Sequence, residues 1–365
     1  MKIVFCVKRT YNVAGGAEWV LSEVANGLAE RGHEVTVLSF DAEDRPSFYG
    51  FSTSVEHCRL GSLGLWPHEK VLDYLRMRRA AMSLRADIVV GFMPSIYVPL
   101  AFGFFATGTK FIACEHIVRS FYAGRPLAYL AICMAGNMTT RISFLSARIA
   151  DEFSLIRNKQ KIILANPVRQ QSKKADVMGV SKGGYRILNV GRMVEFKDQR
   201  TLISAFAQIH TDFPNWRLRI IGQGELRSSL DRQIETLGIS DLVSIQDSSS
   251  QIEEEYAAAD LFVIPSIYEG FGLVTAEASC AGLPCLGFSD CEGTNQIIKD
   301  GVNGMLVHPG DDRVRSLAGA LRSLMSDRQT LRFYARNGIN LSTRYSLGKV
   351  LDEWEAVMLD VHAEH

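Results

Sequence analysis

Residues 260–284 read DLFVIPSIYEGFGLVTAEASCAGLP. The apolar run DLFVIP has the make-up of a buried strand, and a helical pattern from about Leu273 to Cys280 follows it after a loop holding Glu269, Gly270 and Gly272. A strand that passes through a glycine-bearing loop into a helix is half of a βαβ unit, and parallel sheets built from such units carry their ligands at the carboxyl ends of the strands. Glu269 lies at the mouth of this loop and Glu277 inside the helix. That spacing keeps the two carboxylates from sharing one atom but lets them hold two ends of an extended ligand. Between them Phe271, Gly272, Leu273 and Val274 open the helix N-terminus, whose amides suit phosphate oxygens. An acid just ahead of a helix can equally serve the helix dipole alone.

Outward from this stretch the same alternation recurs. The second half offers the strands YRILNVG, WRLRIIG, LVSIQD, DLFVIP, PCLGF and GMLV; the first half offers KIVFCV, HEVTVLSF, DIVVGFM, KFIAC, TTRISF and KIILAN, with amphipathic helices such as Glu18 to Arg31 and Glu69 to Leu84 between them. Strands alternating with helices predict an α/β chain of two Rossmann-like, doubly wound parallel-sheet domains facing across a cleft. Its 365 residues suit two domains of about 150 residues or more. The expected division is an N-terminal domain over 1–168, a linker over 169–184 (RQQSKKADVMGVSKGG), a second domain over 185–342, and a C-terminal helix in 343–365 packing back toward the N-terminal domain.

Composition narrows the function. Lys plus Arg and Asp plus Glu each total 40, so the formal net charge is zero, which argues against a dedicated nucleic-acid binder. The balance conceals a gradient: residues 1–180 hold 22 basic and 15 acidic side chains, and residues 181–365 hold 18 and 25. Seven scattered cysteines without a C-x-x-C predict neither a disulfide framework nor a zinc ribbon and fit a reducing, cytoplasmic setting. No charged residue occurs between Asp87 and Lys110, but Gly91, Pro94, Pro99, Gly103 and Gly108 interrupt that run, so it reads as a buried strand, a helix from about Ser95 to Ala106 and another strand rather than a membrane span.

Two further motifs bear on chemistry. Gly15 and Gly16 lie between the first strand and the first helix, where glycine lets backbone approach an anion at a helix N-terminus; a tight turn is the plainer reading. They do not form G-x-G-x-x-G, so a nicotinamide dinucleotide site is disfavoured. In NVGRMVEFKDQRTLISAF, Arg192 ends a strand and Lys197 follows five residues later just ahead of a helix. A forked guanidinium and a point-charge ammonium at one strand end suit a diphosphate, unless both are merely solvated cations.

The E-x7-E spacing in EGFGLVTAE, Gly191-Arg192 followed by Lys197, the Gly-Gly turn and DGVNGMLV at 300–307 together resemble the retaining glycosyltransferases of family 4, which have the GT-B fold. The resemblance runs from Lys2 to about Leu341. It implies a nucleotide-sugar donor held mainly by the C-terminal domain, with Glu277 similar to the acid that binds ribose hydroxyls and Arg192 with Lys197 similar to the pair that binds the diphosphate. Glu269 is similar to the acid facing the donor sugar, and Gly16 to the residue that approaches the diphosphate from the N-terminal domain. His116, in KFIACEHIV, resembles the N-terminal-domain histidine that contacts the donor sugar, although a strand-end histidine is also commonplace. The resemblance implies a metal-independent hexosyltransferase with no cofactor, and no D-x-D triplet occurs in the chain.

The stretch EDRPSFYGF and the GFM and CEH loops resemble bacterial members that extend lipid-linked or surface oligosaccharides such as O-antigen or capsule. The implied donors are UDP-sugars first and GDP-mannose second; the implied acceptor is a glycan, polyprenyl-linked or growing. Residues 110–174 carry 11 basic side chains against Glu115, Asp151 and Glu152, and with Arg76, Arg78, Arg79, Phe121, Tyr122 and Tyr129 they predict peripheral contact with the inner face of an anionic membrane. A solvated basic face is the alternative. Two other functions stay open on the same fold: a nucleotide-sugar 2-epimerase and a non-catalytic nucleotide-sugar-binding protein.

Overall fold

A computed structural model describes the chain except for residues 13–14, 65, 180–183, 248–250 and 365. It divides into two compact units, one made of Met1–Pro167 with Tyr345–His365 and the other of Val168–Arg344.

The first unit is built on Lys2–Cys6 (β1), Glu34–Ser39 (β2), Val55–Arg59 (β3), Ile88–Phe92 (β4), Phe111–Cys114 (β5), Arg141–Phe144 (β6) and Lys161–Ile163 (β7). Every pairing is parallel and the order is β3-β2-β1-β4-β5-β6-β7, with Phe5 level with Val37 on one side and Val90 on the other. Central strands buried on both faces need continuous apolar runs, as IVFC and IVVGF supply. The crossovers are Gly16–Glu30 (α1), Pro67–Ser83 (α2), Pro94–Phe104 (α3), Pro126–Met138 (α4) and Ala147–Glu152 (α5). Proline at the first turn of α2, α3 and α4 starts each helix without wasting an amide. The uncharged run after Asp87 is thus split into β4 and α3, and among the described residues no helix is long and apolar enough to cross a membrane.

The second unit holds Tyr185–Val190 (β8), Trp216–Ile221 (β9), Val243–Gln246 (β10), Leu261–Ile264 (β11), Cys285–Phe288 (β12) and Gly304–Val307 (β13), again all parallel, in the order β10-β9-β8-β11-β12-β13. Its helices are Gln199–Ile209 (α6), Arg227–Thr236 (α7), Ile252–Ala258 (α8), Leu273–Cys280 (α9), Glu292–Ile297 (α10), Arg313–Ser326 (α11), Arg328–Gly338 (α12) and Leu341–Arg344 (α13). Strand order reverses between β8 and β11, so the loops that leave these two adjacent strands open side by side. Those loops are the ones that carry Arg192 with Lys197 and Glu269.

The segment read as a linker is part of the second unit. Val177 and Met178 sit in its core, the Ala175 amide donates to Ala281 O (2.8 Å), the Met178 amide to Asp260 Oδ1 (2.7 Å), and Lys174 Nζ to Cys280 O (2.8 Å). A polar strap with a few apolar anchors has a linker's composition and a tether's contacts; its residues 180–183 lie outside the described ones. The last helix, Leu347–Ala363 (α14), belongs to the first unit, where the Trp354 ring meets Phe5 at 6.0 Å and stacks on Phe92 at 6.4 Å. Arg31 pairs with Glu355 and Asp352, and Arg141 with Asp360 and Glu364 along the same helix.

Candidate active site

The loop after β11 brings Glu269 to within 2.5 Å of Lys197, which stands on the loop after β8. The Ser266 hydroxyl donates to the same carboxylate oxygen, Oε1, at 2.7 Å. The side chains of Lys197 and Glu269 are only 12% and 10% exposed, so neither is a freely solvated surface charge or a lone helix-dipole acid. Backbone and rings zip the two loops together: the Ile267 amide donates to Phe196 O (2.8 Å), and Phe196 stacks on Tyr268 with centroids 4.8 Å apart. Arg192 is exposed, its guanidinium 5.9 Å from the Phe196 ring on the same loop.

Gly270 and Phe271 lead to Gly272, which caps α9 in the left-handed region at φ 79°, a conformation that glycine adopts without strain. The helix then begins with Leu273 and Val274; the Thr275 and Ala276 amides donate back to Gly272 O at 2.9 and 3.0 Å, which leaves the Leu273 and Val274 amides without an acceptor inside the helix. The Thr275 hydroxyl in that turn is buried and without a hydrogen-bond partner among the described residues. One turn in, Glu277 is 8% exposed and accepts from the Tyr256 hydroxyl of α8 at 3.0 Å. Burial raises its carboxyl above the ordinary range, opposed by the charge of Arg169 and by the Tyr256 bond. Arg169 belongs to the strap after Pro167, in the stretch taken for a linker.

The remaining sequence candidates lie in the first unit. Gly15 is the cap of α1 with an extended backbone (φ −92°, ψ 151°), and Gly16 starts the helix, two residues earlier than the pattern from Glu18 indicated; neither has positive φ, so this is not a glycine-demanding turn. His116 follows β5 with both ring nitrogens buried and unpartnered among the described residues, and burial lowers its pKa to about 4. Its neighbour Glu115 is buried at the same strand end, accepting from Tyr97 Oη (2.5 Å) and the Ile117 amide (2.8 Å). Burial pushes Glu115 up to about 7 against those hydrogen bonds. Among the described residues no group of three or more His, Cys, Asp or Glu has the arrangement of a metal site.

Residues 14–164 match the family described as Glycosyltransferase Family 4, and residues 170–341 match Glycosyl transferases group 1. The chain belongs to the family 4 glycosyltransferases. Among solved structures it is similar to HepE of Anabaena in complex with UDP and glucose, at 19% identity, a TM-score of 0.82 and coverage of 99% of this chain and 100% of that one, which shows the shared GT-B fold. Among curated proteins it is 23% identical over 99% of both chains to a Campylobacter jejuni N-acetyl-D-galactosaminyltransferase named for an undecaprenol-linked substrate. It is also 37% identical to an exopolysaccharide phosphotransferase of Streptomyces coelicolor, over 49% of this chain and only 19% of that protein.

In this glycosyltransferase the site includes groups that the sequence reading passed over. Gly222 and Gly224 follow β9 at φ 154° and 159°, and a Cβ on either would lie 1.9 Å from Gly191 O or 2.3 Å from Met193 O. They let this loop lie flat on the one that carries Arg192; the Gly-x-Gly after WRLRIIG was the legible signal. Gly293 likewise lies under Glu269, where a Cβ would meet its carbonyl oxygen at 2.4 Å. Ser266 stood within the quoted motif, while Tyr256 and Arg169 reach Glu277 from elements distant in sequence and left no local sign. The basic patch expected over residues 110–174 is dispersed: Arg141 and Lys110 are tied to the C-terminal helix, Arg119 and Arg125 lie over Tyr129 and Phe121, Tyr122 is buried, and Arg169, Lys173 and Lys174 are in the other unit.

Proposed function

We propose that this chain moves a sugar, with retention of anomeric configuration, from a nucleotide-diphosphate sugar to a hydroxyl of a growing, lipid-linked glycan in bacterial surface-polysaccharide assembly. The observation that carries the reading is the Lys197–Glu269 pair, held by Ser266 at the entrance to α9, with Glu277 buried farther along the same helix. In this scheme Glu277 receives the ribose hydroxyls and Glu269 faces the donor sugar. His116, Gly15 and Gly16 are the first unit's own candidates for donor contact.

The hard step is charge building on the departing diphosphate. Lys197, Arg192 and the amides around Gly272 to Val274 are assigned to it, each such donor being worth about 2.7 to 4 kcal/mol in comparable anion holes; the scheme uses no metal and no cofactor. Retention follows from attack on the leaving-group face, with a donor phosphate oxygen taking the acceptor proton. An ammonium and a hydroxyl already bonded to Glu269 make its carboxylate a poor nucleophile, which favours this course over a covalent intermediate. A Glu269→Gln enzyme is therefore expected to keep measurable transfer with unchanged stereochemistry.

A UDP-sugar is the favoured donor and GDP-mannose the second. The support is that HepE binds UDP and UDP-glucose and that the Campylobacter jejuni relative is named for N-acetylgalactosamine transfer. The support for a lipid-linked acceptor is that relative's name and an apolar, carboxylate-poor surface of the first unit. Between Asp87 and Asp151 the only carboxylate is Glu115, which is buried, while α3 and α4 carry no Asp, Glu, Lys or Arg and expose Phe102, Leu127, Leu130 and Met134. Leu127 is 81% exposed. Exposed apolar side chains on a helix that Arg125 directly precedes suit an anionic interface.

A thermal-shift panel of nucleoside diphosphates and their sugars tests the donor assignment, because selective binding to the folded state raises Tm by mass action. UDP and one UDP-sugar are expected to shift it; a panel without any shift would contradict the reading. Product analysis separates transfer to a glycan from release of a free 2-epimer. Cosedimentation with anionic vesicles, lost in a Leu127→Asp/Leu130→Asp variant, tests the membrane contact.

A further inference from the structure

Arg313 opens α11, far in sequence from every motif of the donor site, yet its guanidinium reaches three of the strand-end loops of the second unit. One terminal nitrogen donates to Asp290 Oδ2 at 2.8 Å; the other donates to Pro265 O at 3.2 Å and Ser266 O at 3.5 Å. Nε lies 3.5 Å from Asp198 Oδ2, and the guanidinium carbon stands 3.8 Å from the centre of the Phe288 ring. Each of these partners is one step from the site. Asp198 directly follows Lys197 and caps α6 in the left-handed region at φ 50°. Ser266 donates to Glu269, and Asp290 precedes α10, whose Gly293 underlies the Glu269 carbonyl.

We propose that Arg313 is the positioning residue of the donor site: it fixes the loops after β8, β11 and β12 relative to one another and so sets the Lys197–Glu269 pair where a diphosphate can use it. This rests on the donor-site reading above. Three features support it. The planar fork satisfies carbonyl and carboxylate acceptors together, which a lysine ammonium does with a single point charge and a different shape. Stacking on Phe288 orients the plane. Arg313 also compensates Asp198 and Asp290; without it, two carboxylates flank the place assigned to an anionic ligand, and the repulsion weakens diphosphate binding even where the fold survives.

The test compares Arg313→Met and Arg313→Lys with the unaltered full-length chain, by hydrogen exchange without ligand and by calorimetric titration with UDP. Arg313→Met is expected to speed exchange in residues 191–198 and 265–272 but not in the first unit, and to weaken UDP binding by about tenfold or more. Arg313→Lys is expected to fall between, and it carries the test if the methionine variant does not fold. A merely structural arginine would lower Tm and leave UDP affinity alone; that result, or unchanged exchange in both loops, overturns the proposal. Failure of the unaltered chain to bind UDP or GDP would count against the donor-site reading, while the exchange data would still decide whether Arg313 holds these loops.

Discussion

Replacing Lys197 by methionine keeps most of the aliphatic stem and removes the ammonium from a pair at 2.5 Å whose side chains are about nine-tenths covered. At an effective dielectric constant of about 20 the gross attraction at that distance is roughly 7 kcal/mol, most of it offset by desolvation. Removing one partner from a fully buried pair typically costs about 3 to 5 kcal/mol. Here a tenth of each side chain still meets water and Ser266 still donates to Glu269, so about 2 to 3 kcal/mol is expected. In a unit of this size that lowers Tm by roughly 5 to 10 °C. The Lys197→Met/Glu269→Gln double variant, with both charges gone, should recover much of that loss. UDP affinity is expected to behave oppositely: it stays weakened by about tenfold or more in both variants, because the cation for the diphosphate is absent in each. Calorimetric melting and UDP titration of the four proteins close the cycle. A double variant as unstable as the single one, or a Lys197→Met protein with undiminished UDP affinity, would refute the coupling argued for this pair.

Burial raises Glu277 above its ordinary value of 4.5, so the folded state holds that proton more tightly than the unfolded state, and its contribution to stability is lost as pH rises from about 4.5 through the folded pKa. Glu277→Gln should flatten that fall in a denaturant titration run across pH and, at neutral pH, stabilise the protein while abolishing nucleotide binding. Glu115 follows the same sign over the window from 4.5 to about 7, so a Glu115→Gln protein should lose less stability than the unaltered chain on going from pH 5 to pH 8. Trp354→Ala is expected to cost about 3 to 5 kcal/mol and to melt the first unit early, visible as a separate calorimetric transition. Gly224→Ala forces a Cβ against Met193 O at φ 159° and should cost about 2 kcal/mol or more, with loss of UDP affinity measured by titration.

Continuous apolar runs and short helical patterns made almost every strand legible, because a strand buried on both faces has little choice of residues. β3 was missed for the converse reason: it is an edge strand, VEHCR, in which only Val55 is buried, and edges are kept polar. The strap from Val168 onward was misread because its few anchors are spaced without period, so its composition matched a linker while its hydrogen bonds tie it to the second unit. At the site, Glu269, Gly272 and Glu277 could be read in place because a single strand-loop-helix carries them. The pairing of Glu269 with Lys197 depends on β8 and β11 being neighbours, which strand order decides and local pattern does not. Arg313 lies at the limit of that kind of reading. Its neighbours in sequence say nothing of the three loops that it touches.

The most direct test of donor use is real-time proton NMR of the full-length enzyme turning over a UDP-sugar with a polyprenyl-diphosphate-linked glycan acceptor. The first product is expected to carry the donor's anomeric configuration, with UDP released alongside it in equal amount. Initial formation of the inverted anomer, or release of UMP with transfer of a sugar phosphate, would contradict this.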